Sequence, residues 1–311
     1  MNRRRTPRIG LALGGGSARG WAHIGVIRAL EEIGVQPSFV CGTSIGALVG
    51  AVYANGELDW LEDWVTRLSW QTAVRMLDLR FTGGLLGGNK LINFFGNRFG
   101  DKTISELNLP FAAVATQLDT GREIWLQEGR VMDAVRASIA IPGLFTPVSR
   151  NGMWLVDGGL VNPVPVSVAR ALGSDIVIAV DLNNDILSAR ASIDILSAEE
   201  THPGPRNPFK SKLRALFDAR RIAAGATVPL VRQAADAPSL FAAIEKGINI
   251  MQVRITRSRL AGEPADIWLT PRLGKMGLMD FHRGREAIEE GRAAVARMLP
   301  EIQAQIPSAT R

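Results

Sequence analysis

Ser38-Phe39-Val40-Cys41-Gly42-Thr43-Ser44-Ile45-Gly46-Ala47-Leu48-Val49-Gly50-Ala51-Val52-Tyr53-Ala54 is the stretch that decides the fold. Its first four residues are a short apolar run with the character of a buried strand. Its last ten are small and apolar, with the character of a buried helix that closes near Asn55-Gly56. Between them stands Gly42-Thr43-Ser44-Ile45-Gly46, a serine with a glycine two residues before it and another two after. A strand that turns at once into a helix bends sharply, and only residues without bulky side chains fit beside the bend. The serine hydroxyl is thereby pushed out above the sheet edge, and the helix aims its positive N-terminal end at the same point. G-x-S-x-G alone recurs by chance in a glycine-rich chain. With a strand before it and a helix after it, the motif reads as a nucleophile elbow with Ser44 as the candidate nucleophile.

Working outward, Ile9 to Leu13 reads as a first strand and Gly14-Gly15-Gly16-Ser17-Ala18-Arg19-Gly20 as a tight loop. Trp21 to Ile33 reads as a helix, with Ala22, Val26, Ala29, Leu30 and Ile33 on one stripe and Gly34 as its stop. Val35 to Cys41 is then the second strand. This β-α-β-α order implies parallel strands with right-handed crossovers. Downstream, residues 57 to 79 predict one helix with Trp60, Leu61, Trp64, Val65 and Leu68 on one face, and Gly83 to Gly88 a flexible loop. Phe111 to Gln117 and Glu123 to Leu126 are strands joined at Asp119-Thr120-Gly121, and Met132 to Ala140 is a helix stopped by Pro142-Gly143. Trp154 to Val156 is a short strand ending in Asp157-Gly158-Gly159. A helix from Val164 to Leu172 leads into a buried strand from Asp175 to Val180.

The pattern then changes. Asn183 to Pro208 is polar and contains Pro203-Gly204-Pro205, so a mobile insertion is expected there. Helical pattern returns from Ile222 to Ala261, followed by a strand at Ile267 to Leu269 and a helix from Asp280 to Leu299. The expected fold class is α/β: three layers, α/β/α, around a mostly parallel central sheet. The organisation is a core over residues 9–182, an insertion over 183–221, and a C-terminal segment over 222–300 that packs back on the core.

The chain has 311 residues, of which 46% are hydrophobic, enough for a sizeable core. Its net charge is +6, with arginine far outnumbering lysine. That balance fits either an anionic partner such as a phospholipid surface or a solvated surface biased toward arginine. Cys41 is the only cysteine, which excludes an internal disulfide, and it lies in an apolar strand. His23, His202 and His282 are scattered and not at ligand spacing, so no metal is expected. Residues 33–56 carry no charge, but Pro37 and the Gly42–Gly46 turn split them into a strand and a helix rather than a membrane span. Arg3-Arg4-Arg5 resembles the start of a signal peptide, yet the apolar run behind it is too short. A soluble, cytoplasmic protein able to touch a membrane is the expectation, without a cofactor or a nucleic-acid partner.

A serine needs a base and a site for the developing oxyanion. No histidine follows an apolar strand end, where a triad histidine would be delivered. His23 lies inside the first helix, His202 in the insertion and His282 at the start of the last helix. Asp157 ends a strand and is followed by two glycines that permit a close turn, so it is the better candidate base. Asp119, in a hairpin turn, and Asp181, after the strand at 176–180, are rivals. Gly14, Gly15 and Gly16 can turn N–H groups outward as an oxyanion site, with Arg19 adding positive charge. A dinucleotide-binding loop is excluded by register: G-x-G-x-x-G from Gly14 requires glycine at position 19, where Arg19 stands. A Walker lysine is absent as well.

Three motifs in this order, Gly14-Gly15-Gly16-Ser17-Ala18-Arg19-Gly20, Gly42-Thr43-Ser44-Ile45-Gly46 and Asp157-Gly158-Gly159, resemble those of the patatin-like phospholipases, and among them the small bacterial RssA-type proteins. Trp21-Ala22-His23-Ile24-Gly25-Val26 and Ile139-Ala140-Ile141-Pro142-Gly143 fit the same family. The resemblance is firm over residues 9 to 182 and weaker through Met279-Asp280-Phe281-His282. It implies a serine acyl-ester hydrolase acting on lipids or phospholipids. Ser44 and Asp157 would form its dyad, the Gly14–Gly16 loop its oxyanion hole, and Ser17, Arg19, Gly20, Gly42, Gly46, Gly158 and Gly159 would support them. No calcium or other cofactor is implied. A lipid acyltransferase, or a regulatory protein that keeps the fold with little catalysis, are the alternatives. Two stretches have the character either of lipid contacts or of ordinary packing. One is the Trp60–Leu68 face, as a cap over the acyl pocket or as core. The other is a basic amphipathic helix with Phe209, Leu213, Leu216 and Phe217 on one stripe and Lys210, Lys212, Arg214, Arg220 and Arg221 around it, suited to an anionic membrane or to docking on the domain.

Overall fold

A strand buried on both faces reads as a continuous apolar run, and Ile9–Leu13 (β1) is one. Leu11 and Leu13 point into a larger hydrophobic core and Ala12 into a smaller one on the opposite face. The computed structural model describes residues 6–76, 89–186 and 240–306. The other strands are Phe39–Thr43 (β2), Phe111–Gln117 (β3), Glu123–Leu126 (β4), Val148–Arg150 (β5), Met153–Asp157 (β6), Ile176–Val180 (β7) and Ile267–Leu269 (β8). They form one sheet in the order β5-β6-β3-β2-β1-β7-β8, with β4 pairing to β3 off that path. β3, β2, β1, β7 and β8 run parallel, while β4 and β6 are antiparallel to β3, and β5 to β6. The fold class is α/β with a mostly parallel sheet, as the sequence predicts.

Helices cover both faces. Ala22–Glu32 (α1), Ile45–Ala54 (α2), Leu58–Thr66 (α3), Trp70–Met76 (α4), Asn89–Phe99 (α5) and Val131–Ser138 (α6) precede Val166–Ala171 (α7). Leu240–Gly262 (α8), Gly284–Arg297 (α9) and Leu299–Gln305 (α10) follow. α1, α2, α6 and α9 share the larger core, and α7 closes the smaller one over Ala12, Cys41, Ala112 and Val114. α1 and α9 pack backbone to backbone. A methyl group on Gly25 would overlap the Ile288 carbonyl, and one on Gly291 the Ala22 carbonyl.

Three local features differ from the sequence reading. The helix expected over 57–79 breaks after Thr66 into α3 and α4. On α3, Leu61 and Val65 are buried, while the half-buried Trp60 and Trp64 pack on Phe94 and Phe95 of α5 at centroid distances of 5.0–5.8 Å. That face is thus engaged in aromatic packing. The last helix breaks at Met298 because Pro300, in the first turn of α10, has no N–H to continue the ladder. β5 and β6 form a hairpin through Asn151 and Gly152, both at positive φ, of which the sequence reading gave only the second strand. The Gly83–Gly88 loop, His202, the basic amphipathic stretch from Phe209 to Arg221 and all of the expected insertion beyond Ile186 lie outside the described residues.

Candidate active site

Ser44 stands between β2 and α2 with φ 57° and ψ −125°, a conformation that costs a non-glycine residue about 1–3 kcal/mol. Close packing holds it there. A methyl group on Gly42 would overlap the Gly46 carbonyl, and one on Gly46 would overlap that of Leu13. The Ser44 N–H donates to Ser138 Oγ at 2.9 Å, and that hydroxyl donates to the Val114 carbonyl at 2.6 Å. Thr43 Oγ1 donates to the Asn162 carbonyl at 2.8 Å.

Sheet register brings Asp157 to the same point. Val114 of β3 pairs with Thr43 and with Trp125, and the next residue, Ala115, pairs with Asp157 and with Ile124. A strand has two edges, so β2 and β6 lie on one edge of β3 and β4 on the other. β2 ends opposite Val114, and antiparallel β6 ends opposite Ala115. Two strands that meet head to head in this way deliver Ser44 and Asp157 to one junction. The Asp157 N–H donates to the Ala140 carbonyl at 2.9 Å, and its carbonyl accepts from Thr116 Oγ1 at 2.8 Å.

The Asp157 side chain is almost wholly buried, and its Oδ1 accepts from the Gly159 N–H at 2.7 Å. Burial pushes its pKa up to about 6, against the opposing pull of the Ser44 hydroxyl and the Gly159 N–H. Oδ2 has no partner of full hydrogen-bond geometry among the described residues, so the Ser44 hydroxyl approaches the carboxylate without a well-formed bond. Such contacts tighten when substrate arrives.

The glycine loop lies directly beside the serine: a Cβ on Gly15 would stand 3.4 Å from Ser44 Cβ. Two of its three expected oxyanion donors are already engaged. The Gly14 N–H donates to the Val180 carbonyl at 3.0 Å and the Gly15 N–H to the Pro163 carbonyl at 2.9 Å. Of the three, only Gly16 keeps an N–H without an acceptor among the described residues, and that of Ser17, at φ 53°, is likewise unused. Ser17 Oγ donates to the Leu278 carbonyl at 2.7 Å. Arg19 is fully buried, its Nε donating to the Gly16 carbonyl at 3.1 Å and its Nη2 to Asn249 Oδ1 at 3.0 Å. A methyl on Gly20 would overlap Ile45, and one on Gly158 the Val114 carbonyl.

A serine elbow, a glycine loop and an Asp-Gly-Gly turn around one junction match a known pattern along the sequence. The sequence model described as patatin-like phospholipase matches residues 11–170. The chain belongs to the patatin-like phospholipase family. An uncharacterized NTE family protein of Mycobacterium tuberculosis is 36% identical over 334 residues, taking in 96% of this chain and 93% of that protein. A lysophospholipase of Aspergillus fumigatus is 35% identical over 213 residues, or 65% of this chain and 14% of that protein. The patatin-like phospholipase domain-containing protein 7 of Mus musculus is 34% identical over 184 residues, 57% of this chain and 14% of that protein. None of these relatives bears on the RssA-type subgroup.

The remaining candidates fall away from the junction or into its scaffold. His23 is buried on α1, with Nε2 donating to the Gly14 carbonyl at 2.8 Å, and burial holds its pKa down at about 4. His282 is exposed. Asp119 sits in the β3–β4 hairpin turn. Asp181 is buried at the end of β7, where its Oδ1 accepts from the Asn183 N–H at 2.9 Å and burial pushes its pKa to about 6. Among the described residues no group of three side chains could hold a metal ion, and no helix is long and apolar enough to cross a membrane.

Sequence reasoning missed Ser138, Asn183, Asn249 and Gln252. Asn183 Nδ2 donates to the Gly15 carbonyl and to Gln252 Oε1, both at 3.0 Å. A signal existed for the last two. Glu245, Asn249, Gln252 and Thr256 recur at helical spacing along α8, and all are buried. A polar stripe facing inward marks a helix packed on polar machinery.

Proposed function

We propose that this lipid acyl hydrolase works through a Ser44–Asp157 dyad and a covalent acyl-enzyme. The observation that carries it is the head-to-head meeting of β2 and β6 on one edge of β3, which brings the serine to a buried carboxylate whose Oδ2 has no well-formed hydrogen bond among the described residues. Ser44 Oγ attacks the ester carbonyl carbon while Asp157 Oδ2 takes its proton. The oxyanion is met by the Gly16 N–H, with the Ser17 N–H beside it and the N-terminal end of α2 adding its dipole. The tetrahedral species collapses, the C–O bond to the alcohol breaks, and the alcohol leaves with the proton from Asp157. A water then attacks the Ser44 ester, gives its proton to Asp157, and the fatty acid is released as Ser44 recovers its hydrogen. Asp157 is suited to this exchange because burial raises its pKa to about 6, nearer to neutrality than an ordinary carboxylate.

Family membership and the likeness to a fungal lysophospholipase make lysophospholipids the first substrates to test. Hydrolysis of lysophosphatidylcholine and of short- and long-chain p-nitrophenyl esters is to be followed with wild type and Ser44→Ala. The expected result is turnover by wild type and none by the variant, with unchanged circular dichroism. Turnover by Ser44→Ala at the wild-type rate would refute the nucleophile.

A further inference from the structure

The carbonyl oxygens of all three loop glycines are held by buried side chains, two from the turn and helix that follow the loop and one from far along the chain. Gly14 O accepts from His23 Nε2 at 2.8 Å, Gly15 O from Asn183 Nδ2 at 3.0 Å and Gly16 O from Arg19 Nε at 3.1 Å. All described peptide bonds are trans. In a trans peptide unit the C=O and the following N–H point in opposite directions. Whatever holds the Gly15 carbonyl therefore also aims the Gly16 N–H.

Asn183 is fully buried and follows β7, well outside the three motifs. Both hydrogens of its Nδ2 are committed, one to the Gly15 carbonyl and one to Gln252 Oε1 on α8. Its own N–H is tied to Asp181 Oδ1 at 2.9 Å. Gln252 touches the other half of the site as well. The point a Cβ on Gly159 would occupy is 2.5 Å from Gln252 Nε2 and 2.9 Å from Asp157 Oδ1. One side chain of α8 thus lies against the Asp157 turn while holding the residue that holds the glycine loop.

We infer that Asn183, braced by Gln252, is a positioning residue that aims the Gly16 N–H at the oxyanion and sets it in register with Asp157. The inference rests on the Ser44 reading above. The Gly16 amide gains its full value only when negative charge develops on the carbonyl oxygen. Loosening its aim should therefore lower kcat and leave KM nearly unchanged.

The test compares wild type, Asn183→Leu, Gln252→Leu and Ser44→Ala for ester hydrolysis and for affinity toward a trifluoromethyl ketone, whose hemiketal adduct carries the same oxyanion. Asn183→Leu keeps the γ-branched shape and removes the donor. Its expected result is a kcat lower by about thirtyfold, a fraction of the hundredfold or more lost with a whole donor. KM should stay within about twofold, and the ketone should bind weaker by the same factor as kcat falls. If Asn183→Leu does not fold, Gln252→Leu, which releases only the outer brace, should show the same split at about fivefold. An inert Ser44→Ala beside an Asn183→Leu or Gln252→Leu of unchanged kcat and ketone affinity would overturn this inference alone. A fall in kcat without loss of ketone affinity would also overturn it. An active Ser44→Ala would overturn the reading beneath it.

Discussion

Two parts of the chain meet behind Ser44, and they are built in opposite ways. From β1 to α2 the glycine loop and the elbow are made of backbone and small residues, with the His23 and Arg19 side chains behind them. Glycines pack where no methyl group fits, and a serine is held in a conformation few residues adopt. The polar face of α8 is made of side chains. Asn249 and Gln252 reach out to Arg19 and Asn183, and those hold the loop carbonyls. The first part fixes where the reacting atoms stand, and the second fixes which way the dipoles around them point. Close packing tolerates almost no substitution, whereas a hydrogen-bonded brace loosens by degrees.

The largest expected effect bears on the carboxylate that both parts touch. Asp157→Asn should lower kcat/KM by about a thousandfold, the middle of the range for a lost general base. In wild type, kcat/KM should fall tenfold per pH unit below about 6, since only ionised Asp157 accepts the serine proton. A pH–rate profile with no acid limb near 6 would remove Asp157 as the base.

Next comes packing in the backbone-built part. Gly46→Ala forces a methyl group onto the Leu13 carbonyl, so unfolding in urea should show a loss of about 3 kcal/mol or an unfolded chain. A loss below about 1 kcal/mol would mean that the elbow yields and is packed no more strictly than the hydrogen-bonded brace.

A third effect has the opposite sign. Burial raises the Asp157 pKa from 3.8 to about 6, so the folded state holds the proton more tightly than the unfolded one. Its contribution to stability is therefore full below about pH 4 and is lost as pH rises through about 6. Asp157→Asn, which removes the buried charge, should match wild type near pH 4 and exceed it by about 2 kcal/mol at pH 8. Equal stability at both pH values would show that the carboxylate is better solvated than its burial implies.

The smallest effect tests α8. Among the described residues nothing stands within 4 Å of a Cβ added to Gly247, in the interior of that helix. Gly247→Ala should raise stability by about 0.5–1 kcal/mol, the reverse of Gly46→Ala, as thermal melts of the two variants would show.

This contrast also explains what the sequence revealed. Gly42-Thr43-Ser44-Ile45-Gly46 was legible because sharp turns and close backbone approach demand glycine at fixed spacing. The strand runs at 9–13, 111–115 and 176–180 were legible because burial on both faces demands unbroken apolar residues. The reversed direction of β6 was not, since its pairing depends on long-range register, although Asn151-Gly152 is a hairpin signal. Gly14 and Gly15 looked like oxyanion donors because glycine permits an outward N–H. The carbonyls that take those hydrogens, Val180 and Pro163, lie far away in sequence. Asn183 and Gln252 carry no motif at all; their significance comes from partners 168 and 69 residues distant.

The most direct test of the central claim is the rate at which a fluorophosphonate labels the protein, followed by intact mass and peptide mapping, in wild type and Asp157→Asn. A single adduct on Ser44 is expected, forming about a hundredfold or more slowly in the variant. An adduct on another residue, or labelling of Ser44 at the same rate without the carboxylate, would contradict that claim.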